Sequence, residues 1–353
     1  MKSKVIFKKQ LSSRENYPKD TVLIYDKNLV RYSKSFKKWS NKFSARIAVP
    51  AGESSKSLEN FTELVENVLK LSAGFSSRDM SLLVVGGGTL TDLGGFLASV
   101  LKRGVRLILI PTTWLAAIDS AHGGKNGLNV AHFKNQIGTF YFPEKVEIIR
   151  EILFLQPSDR AQEVFGELIK IALISNSSLF ANLRNIKKID NQIIYSALPL
   201  AIRAKNKVVS LDPNEKRKIR HVLNLGHTFA HAMESCFDIS HGEAVLYGVI
   251  FSLIWSRSGE MISDDNFEKI LQSSVWALSF DAKIYQKLLD APLVEVKNSI
   301  LQDKKRAKNG FLLEPFVHRP GQVILKSVSV NEFINEFKRQ RKVISKVPYA
   351  SEY

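Results

Sequence analysis

Buried-strand patterns that alternate with an amphipathic helix constrain the fold of this chain most strongly. Short, almost wholly apolar runs occupy residues 21–26 and 81–88, the second ending in three glycines, and a third run covers residues 105–111. Residues 58–71, between the first two runs, carry apolar side chains at helical spacing. Strands that are apolar on both faces and alternate with helices predict a parallel sheet covered by helices. We therefore expect an α/β domain with a parallel sheet at the N-terminus.

The later part of the chain has a different character. With 353 residues, of which 44% are hydrophobic, the chain is long enough for two domains with separate cores. From about residue 157 onward, long helical patterns punctuated by prolines replace the strand patterns. We predict an α/β domain over residues 1–156 and a mostly α-helical domain over residues 157–353.

Charge and cysteine content narrow the classes of function. The net charge is +17, but the basic residues are scattered and no zinc-finger, RNA-recognition or basic-zipper pattern accompanies them. A small anionic, phosphorylated substrate explains some of them better than nucleic acid, which stays as an alternative of a different class.

Cys236 is the single cysteine, so an intrachain disulfide is excluded. The N-terminus lacks the apolar core of a signal peptide and no run reaches about 20 apolar residues, so we expect a cytoplasmic protein without a membrane partner.

Three histidines stand at the spacing of metal ligands. His227 and His231 are four residues apart, so a helix would place them on one face, and Ser240 and Gly242 indicate a turn that brings back His241. Neutral imidazole binds zinc well. The same spacing is compatible with histidines that cap helices or form hydrogen bonds in a core, so the histidines alone leave both interpretations open.

A carboxylate and an amine in an apolar stretch provide the second observation. Glu167 and Lys170 lie three residues apart within residues 164–174, which are otherwise mainly apolar. Burial of an unpaired charge costs several kcal/mol, so we expect both side chains to have partners. One carboxylate and two imidazoles would form an open zinc site that leaves positions for substrate oxygens. The alternative is a Glu/Lys pair on a helix surface, which stabilises only weakly.

A glycine turn at residues 86–88 leaves a strand and enters a helix. Backbone N–H groups in such a turn can approach a diphosphate, and the helix dipole adds to the attraction. The turn is not the GxGxxG fingerprint, and a plain tight turn is the alternative. Hydroxyls, lysines and glycines also gather in residues 111–113, 119–125 and 134–135, which we expect to be largely loop and to bind a ligand.

Together these segments resemble the 3-dehydroquinate synthase family of the sugar-phosphate cyclase superfamily. The motifs follow in the same order and at similar spacings over roughly residues 20–315: GGGTLTDLGGF from Gly86, RGV from Arg103, IPTT from Ile110, DS from Asp119, GGK from Gly123, KN from Lys134, Glu167 to Lys170, LNLGHTF from Leu223, HGEAV from His241 and DKK from Asp303. The resemblance implies an NAD-binding α/β domain, a helical metal-binding domain, an active site between them and a homodimer.

The resemblance also implies roles for individual residues. Glu167, His227 and His241 would hold Zn²⁺ or Co²⁺, and His231 would face the substrate instead of the metal. The positions matching catalytic or substrate-binding residues are Lys125, Asn135, Lys170, Lys205, Arg220, Asn224, His231 and Lys304, together with Asp119, which would orient the reacting groups, and Arg103, which would reach the neighbouring subunit's site. The positions matching NAD-binding residues are Asp26, Asn28, Glu53, Lys56, Gly87, Gly88, Asp92, Thr112, Thr113, Lys125 and Lys134.

The implied reaction converts 3-deoxy-D-arabino-heptulosonate 7-phosphate to 3-dehydroquinate and phosphate. It is a lyase reaction of the shikimate pathway of aromatic amino acid biosynthesis, and NAD is unchanged overall. Another sugar-phosphate cyclase, or an NAD- and metal-dependent polyol dehydrogenase of the same fold, is the alternative, because fold does not determine substrate. The departures from the family pattern are Ala121, His122, Asn126, Ile171, Ala172, a stretch from Asp212 to Glu215 that is one residue longer, and the stretch from Phe316 to Pro320.

Overall fold

A computed structural model of the chain describes residues 3–76, 79–131, 133–158, 160–175, 177–302 and 310–344. The chain divides into two compact units, Met1–Pro157 and Ser158–Tyr353. The strands of the first unit are β1 (Lys4–Lys8), β2 (Thr21–Asp26), β3 (Arg46–Val49), β4 (Ser81–Gly86), β5 (Arg106–Pro111), β6 (Lys125–Val130), β7 (Phe133–Phe140) and β8 (Lys145–Ile149). Its helices are α1 (Leu29–Tyr32), α2 (Lys34–Ser40), α3 (Leu58–Leu71), α4 (Gly88–Val100), α5 (Ala121–Gly123) and α6 (Arg150–Leu153).

Six strands of the first unit form one parallel sheet in the order β1-β8-β5-β4-β2-β3. The strands β2 and β4 are buried along almost their whole length, which explains why both are apolar on both faces. The chain passes from β2 outward to β3 and returns to β4 on the other side of β2, so the strand order reverses there. In parallel sheets, such a reversal leaves a crevice for ligands at the carboxyl ends of the strands.

The predicted α/β class and parallel sheet are confirmed. Helix α3 has the predicted bounds, with Leu64 and Val68 buried against the unit and Ser57 accepting a hydrogen bond from Asn60 N at its start. The third predicted strand begins one residue later than the apolar pattern, at Arg106.

The prediction that residues 119–125 and 134–135 are largely loop is wrong. The chain forms a π-helical turn at Ala116–Ser120 and a helical turn at Ala121–Gly123. The strands β6 and β7 then pair as an antiparallel hairpin with Gly127 opposite Gly138. A Cβ at Gly138 would lie 2.7 Å from the main-chain oxygen of Asn126, so glycine here permits close strand contact and not a turn.

The second unit is mainly helical, as predicted. Its helices are α7 (Arg160–Ser175), α8 (Ser177–Arg184), α9 (Asn191–Leu211), α10 (His227–Cys236), α11 (His241–Ser258), α12 (Asp264–Leu271), α13 (Ser274–Ser279), α14 (Ala282–Leu289), α15 (Leu293–Gln302) and α16 (Val330–Ile344). An antiparallel hairpin of β9 (Phe311–Arg319) and β10 (Gln322–Ser329) precedes α16. Helix α11 is buried on all sides, which fits its almost continuous apolar sequence. Within the described ranges, no helix combines the length and the apolar character that crossing a membrane requires.

Candidate metal and cofactor sites

Three helices of the second unit approach one another through glycines. Gly242, at the start of α11, packs on α7 so closely that a Cβ there would lie 1.2 Å from Glu163 O. Gly226 precedes α10 with a φ of +77°, and a Cβ there would lie 2.5 Å from the main-chain carbon of Gly248 in α11. These two glycines and Gly166 in α7 each adjoin a predicted metal ligand in the sequence. The backbone contacts therefore set the distances between the ligands.

Glu167, His227 and His241 meet where these helices approach. Their donor atoms lie within 4.8 Å of one another. The Nε2 atoms of His227 and His241 are 3.4 Å and 3.6 Å from Glu167 Oε1. A zinc ion binds nitrogen and oxygen donors at about 2.0 to 2.2 Å, so three donors at this spacing can share one ion.

Both histidines are oriented through their other ring nitrogen. His227 Nδ1 lies 3.3 Å from the carbonyl oxygen of Leu225. His241 Nδ1 lies 3.3 Å from each carboxylate oxygen of Glu234. A histidine that donates from Nδ1 in this way presents the lone pair of Nε2, the form that binds a metal. The residues present therefore fit a divalent cation.

The carboxylates make this centre attractive to positive charge. Burial lowers the pKa of His241, but the hydrogen bonds and charges of Glu167 and Glu234 outweigh burial and raise that pKa to about 10. The same field favours a divalent cation. Lys170 Nζ lies 2.6 Å from Glu167 Oε2, with the two side chains 2% and 1% exposed. They form an internal ion pair, and the alternative of a pair on the helix surface is excluded.

Sequence reasoning missed Glu234, the partner of His241. Glu234 lies seven residues after His227 and three after His231 on α10, so the helical spacing that related the two histidines also reaches this carboxylate. His231 is exposed, with its ring centroid 5.7 Å from that of His227. His231, Glu234 and His241 also bring donor atoms within 4.8 Å of one another. The set with Glu167 fits better because burial of that carboxylate favours a bound cation.

The other predicted substrate residues of the second unit lie on α9 and on the turn after it. Lys205 on α9 is buried, and Arg220 and Asn224 belong to the 3₁₀ turn Ile219–Asn224 that leads to α10. Arg220 is also buried, and its Nη1 donates to the carbonyl of Pro213 at 2.9 Å. Lys304 lies outside the described residues. Substrate contact by these side chains stays a prediction.

Five of the predicted NAD-binding residues lie at the carboxyl ends of parallel strands in the first unit. Asp26 ends β2, Gly87 and Gly88 follow β4, and Thr112 and Thr113 follow β5. A Cβ at Gly87 would lie 3.1 Å from Thr113 Cγ2, so the glycine turn packs directly on the end of β5. Helix α4 begins at Gly88 without a side-chain cap, which leaves its first N–H groups suited to a diphosphate.

A buried lysine connects three segments of the first unit. Lys56 Nζ donates to Asp92 Oδ2 at 2.9 Å and to Asn135 Oδ1 at 2.7 Å, and lies 3.6 Å from Glu53 Oε1. Asn129 completes the network, because its Nδ2 donates to Glu53 and its Oδ1 accepts from Asn135 N. Burial raises the pKa of Asp92 to about 6, although the charge of Lys56 opposes the change. Lys56 and Asp92, predicted to bind NAD, and Asn135, predicted to bind substrate, are thus joined by hydrogen bonds.

The remaining predicted residues surround this network. The charge of Asp119, on the π-helical turn, also raises the pKa of Asp92. Asn28 donates its N–H to Asp26 Oδ1 at 2.8 Å. Lys125 begins β6 with an exposed side chain, and exposed Arg103 has a φ of +67°. Beside the network lies a cleft of about 350 Å³, lined by Glu53, Ser54, Ser57, Glu59, Asn129, Ala131 and Lys134.

The single-residue departures from the family pattern are all buried; they are Ala121, His122, Asn126, Ile171 and Ala172. Asn126 Nδ2 donates to the carbonyls of Gly124 and Tyr141, joining the two ends of the β6–β7 hairpin. A Cβ at Gly95 would lie 1.9 Å from Asn126 Oδ1, so the amide fills the space above that glycine. The asparagine departure therefore has a structural explanation in the packing of α4 against the hairpin.

Solved structures define the class of fold. A 2-epi-5-epi-valiolone synthase from Streptomyces hygroscopicus, with NAD⁺ and Zn²⁺ bound, is similar with a TM-score of 0.76 and 19% identity, covering 98% of this chain and 97% of that chain. A 2-deoxy-scyllo-inosose synthase in complex with carbaglucose-6-phosphate, NAD⁺ and Co²⁺ is similar with a TM-score of 0.75 and 22% identity, covering 95% and 96%. At these identities the likeness shows the fold alone, which this chain shares with the two enzymes.

Sequence comparison identifies the family within this class. The model of the 3-dehydroquinate synthase N-terminal domain matches residues 46–163, and that of the C-terminal domain matches residues 164–306. The 3-dehydroquinate synthase of Picrophilus torridus is 34% identical over 304 residues, which cover 85% of this chain and 86% of that protein. The chain belongs to the 3-dehydroquinate synthase family and is an enzyme, as its sequence motifs predicted.

Proposed function

We propose that the protein converts 3-deoxy-D-arabino-heptulosonate 7-phosphate to 3-dehydroquinate and phosphate, with NAD and Zn²⁺ or Co²⁺ as cofactors. The observation that carries the proposal is the convergence of Glu167, His227 and His241 from three helices, in a chain of this family. Three protein ligands leave coordination positions for substrate oxygens, which is the arrangement of a catalytic metal.

The residues of the chain divide the chemical tasks among them. When bound, the metal would polarise a substrate hydroxyl while NAD accepts a hydride and later returns it. Glu167, His227 and His241 would hold the ion, and the glycine turn at the end of β4 would hold the NAD diphosphate. Lys205, with the other predicted cations, would stabilise the phosphate as it leaves, because oriented positive charge favours a developing anion. Arg220 would bind the phosphate of the substrate before the reaction.

The test is phosphate release from the sugar phosphate by purified protein with NAD and zinc. Product mass and NADH absorbance are followed in the same reaction. We expect phosphate and dehydroquinate in equal amounts without net NADH. A variant that lacks a ligand, His241→Ala, serves as the inactive control.

The other outcomes would indicate a different activity for an enzyme of this fold. If the wild-type protein binds NAD and zinc but releases no phosphate, the proposed substrate is wrong and another sugar phosphate becomes the candidate. Net accumulation of NADH would instead indicate a polyol dehydrogenase, because only a redox reaction that is not reversed leaves the cofactor reduced.

We further propose a cytoplasmic homodimer in which Arg103 reaches the neighbouring subunit's site. Two inactive variants, Arg103→Ala and His241→Ala, are unfolded together and refolded as a mixture. Heterodimers would contain one site with an intact metal centre and an intact Arg103, so activity should return. Absence of recovery in a mixture that contains heterodimers would place Arg103 in the site of its own chain.

A further inference from the structure

Asp212 closes the loop that joins α9 to the turn carrying Arg220. Asp212 is buried, with 2% of the residue exposed. Its Oδ1 accepts from Arg217 N at 3.0 Å and its Oδ2 accepts from Ile219 N at 3.1 Å. Its own N–H donates to the carbonyl of Val209 in the last turn of α9. Asp212 therefore joins the two ends of the loop, with its N–H bound to α9 and its carboxylate bound to Arg217 and Ile219.

The loop holds two residues in the left-handed region. Glu215 has a φ of +55° and Lys218 a φ of +62°, and neither is glycine. Such conformations cost conformational energy, so the surrounding contacts must maintain them. Burial raises the pKa of Asp212, but hydrogen bonds from the loop's N–H groups outweigh burial and leave that pKa below its usual value. The carboxylate is thus suited to hold the loop in its charged form.

Arg220 is anchored at both ends by this loop. Ile219, whose N–H Asp212 binds, is its neighbour in the chain. The guanidinium Nη1 donates to the carbonyl of Pro213, the residue directly after Asp212, at 2.9 Å. Arg220 itself is 3% exposed. A shift of the loop would move the backbone of Arg220 and the acceptor of its guanidinium together.

We propose that Asp212 is a positioning residue for Arg220: by closing the loop of residues 212–219, it aims the guanidinium at the phosphate of the substrate. The inference deepens the proposed function and rests on it. The sequence motifs also predict that this loop is one residue longer than the family pattern. Asp212 acts through Arg220 and does not itself contact the substrate.

The first test is Asp212→Asn in the enzyme loaded with NAD and zinc. The amide keeps the shape of the side chain but turns an N–H group toward a backbone N–H group, so one hydrogen bond is lost. We expect KM for the sugar phosphate to rise roughly tenfold while kcat changes less than about threefold, since the change weakens substrate binding and not the metal chemistry. The NAD affinity and the zinc content should stay at wild-type values. An unchanged KM would overturn the proposal.

Two matched variants separate positioning from stability. Lys218→Gly relieves one left-handed residue on the exposed side of the loop, and in the Asp212→Asn background it should raise Tm without restoring KM. In an Arg220→Gln background, Asp212→Asn should change KM by less than about twofold, because the residue through which it acts is gone. Recovery of KM together with Tm, or an undiminished effect without Arg220, would make Asp212 merely structural. If Asp212→Asn does not fold, the Asp212→Asn/Lys218→Gly pair is measured in its place, with Lys218→Gly as the reference.

Binding of inorganic phosphate, measured by calorimetry, does not depend on turnover. If the wild type fails to convert the sugar phosphate, the proposed function fails. Asp212→Asn must nevertheless weaken phosphate binding as much as it would in an active enzyme if Asp212 positions Arg220. Equal phosphate affinity in wild type and variant would overturn the positioning role under either outcome.

Discussion

Each unit buries a lysine against a carboxylate, but the two pairs are built differently. Lys170 and Glu167 lie one helical turn apart on α7, and both are almost fully buried. Lys56 takes its partners from α4 and β7, 36 and 79 residues away, and the side chain of Asp92 is 21% exposed. The pair on α7 is local in sequence and shielded from water. The network of Lys56 is assembled by the tertiary fold, and its carboxylates are less completely buried than Glu167.

The difference determines what each lysine can do. A pair on one helix exists as soon as that helix is packed, so Lys170 can hold Glu167 in place before any cation binds. The contacts of Lys56 require the hairpin and α4 to be in place together, so they form only when the first unit is assembled. Since both pairs adjoin predicted cofactor sites, their loss should have effects that can be told apart.

The largest effect should come from removing a proposed metal ligand while leaving both ion pairs intact. His241→Ala should abolish zinc binding and lower the turnover rate at least about a thousandfold, because two remaining ligands seldom hold the ion. The side chain of His241 is 33% exposed, so the metal-free variant should stay folded. Metal content by atomic emission and circular dichroism are the measurements. Full zinc occupancy in the variant would refute the ligand assignment.

Lys170→Met should destabilise the metal-free protein by about 3 to 5 kcal/mol, because it leaves the carboxylate of Glu167 buried without its ion-pair partner. Urea denaturation with a chelator measures this free energy. Zinc should recover part of the loss by supplying another cation to Glu167. A variant as stable as the wild type without metal would show that the ion pair contributes nothing to folding.

Lys56→Met should lower the free energy of unfolding by less, about 1 to 3 kcal/mol, because the carboxylates that it leaves behind are less completely buried than Glu167. We expect NAD affinity to fall as well, while zinc content stays at the wild-type value. The same denaturation series, with NAD titrated by fluorescence, makes the comparison with Lys170→Met direct. A larger loss of stability than for Lys170→Met would reverse the ranking of the two pairs.

The smallest effect should be a pH dependence specific to the first unit. Because the pKa of Asp92 is about 6 in the folded protein against 3.8 for the free side chain, the folded state takes up a proton first as the pH falls. The wild type should therefore gain stability relative to Asp92→Asn from about pH 6 down to about pH 4, and no further below that. Parallel urea curves of the two proteins measure the difference. A difference that does not change over this interval would mean that Asp92 is not desolvated.

The elements that could be predicted from sequence are those whose residues act locally. Helix α3 has an apolar stripe and the capping residue Ser57, and its bounds were predicted correctly. The hairpin of β6 and β7 was missed, because glycine and asparagine favour turns locally while Gly127 and Gly138 are used here for close strand contact. Here tertiary packing overrides the local turn preference of these residues, and contacts between distant segments cannot be read from the local sequence.

The same distinction between local and tertiary contacts applies to the candidate metal and cofactor sites. Glu167 and Lys170 were recognisable as a pair because helical spacing and an apolar setting are visible in the sequence. The partners of Lys56, and the role of Asn129 between Glu53 and Asn135, depend on contacts between distant segments. The Asp212 loop could not be predicted either, since a residue with a positive φ that is not glycine leaves no mark in composition.

The glycines beside the proposed metal ligands have a consequence for predicting which homologues are active enzymes. Gly242 and Gly226 leave no room for a Cβ, and each stands next to a histidine that would bind the ion. A homologue that retained Glu167, His227 and His241 but carried alanine at either glycine would still have all three donor residues in its sequence. It would nevertheless be unable to bring those donors together. Predictions of which homologues are active enzymes should therefore require these two glycines, which carry no donor atom, as well as the proposed ligands.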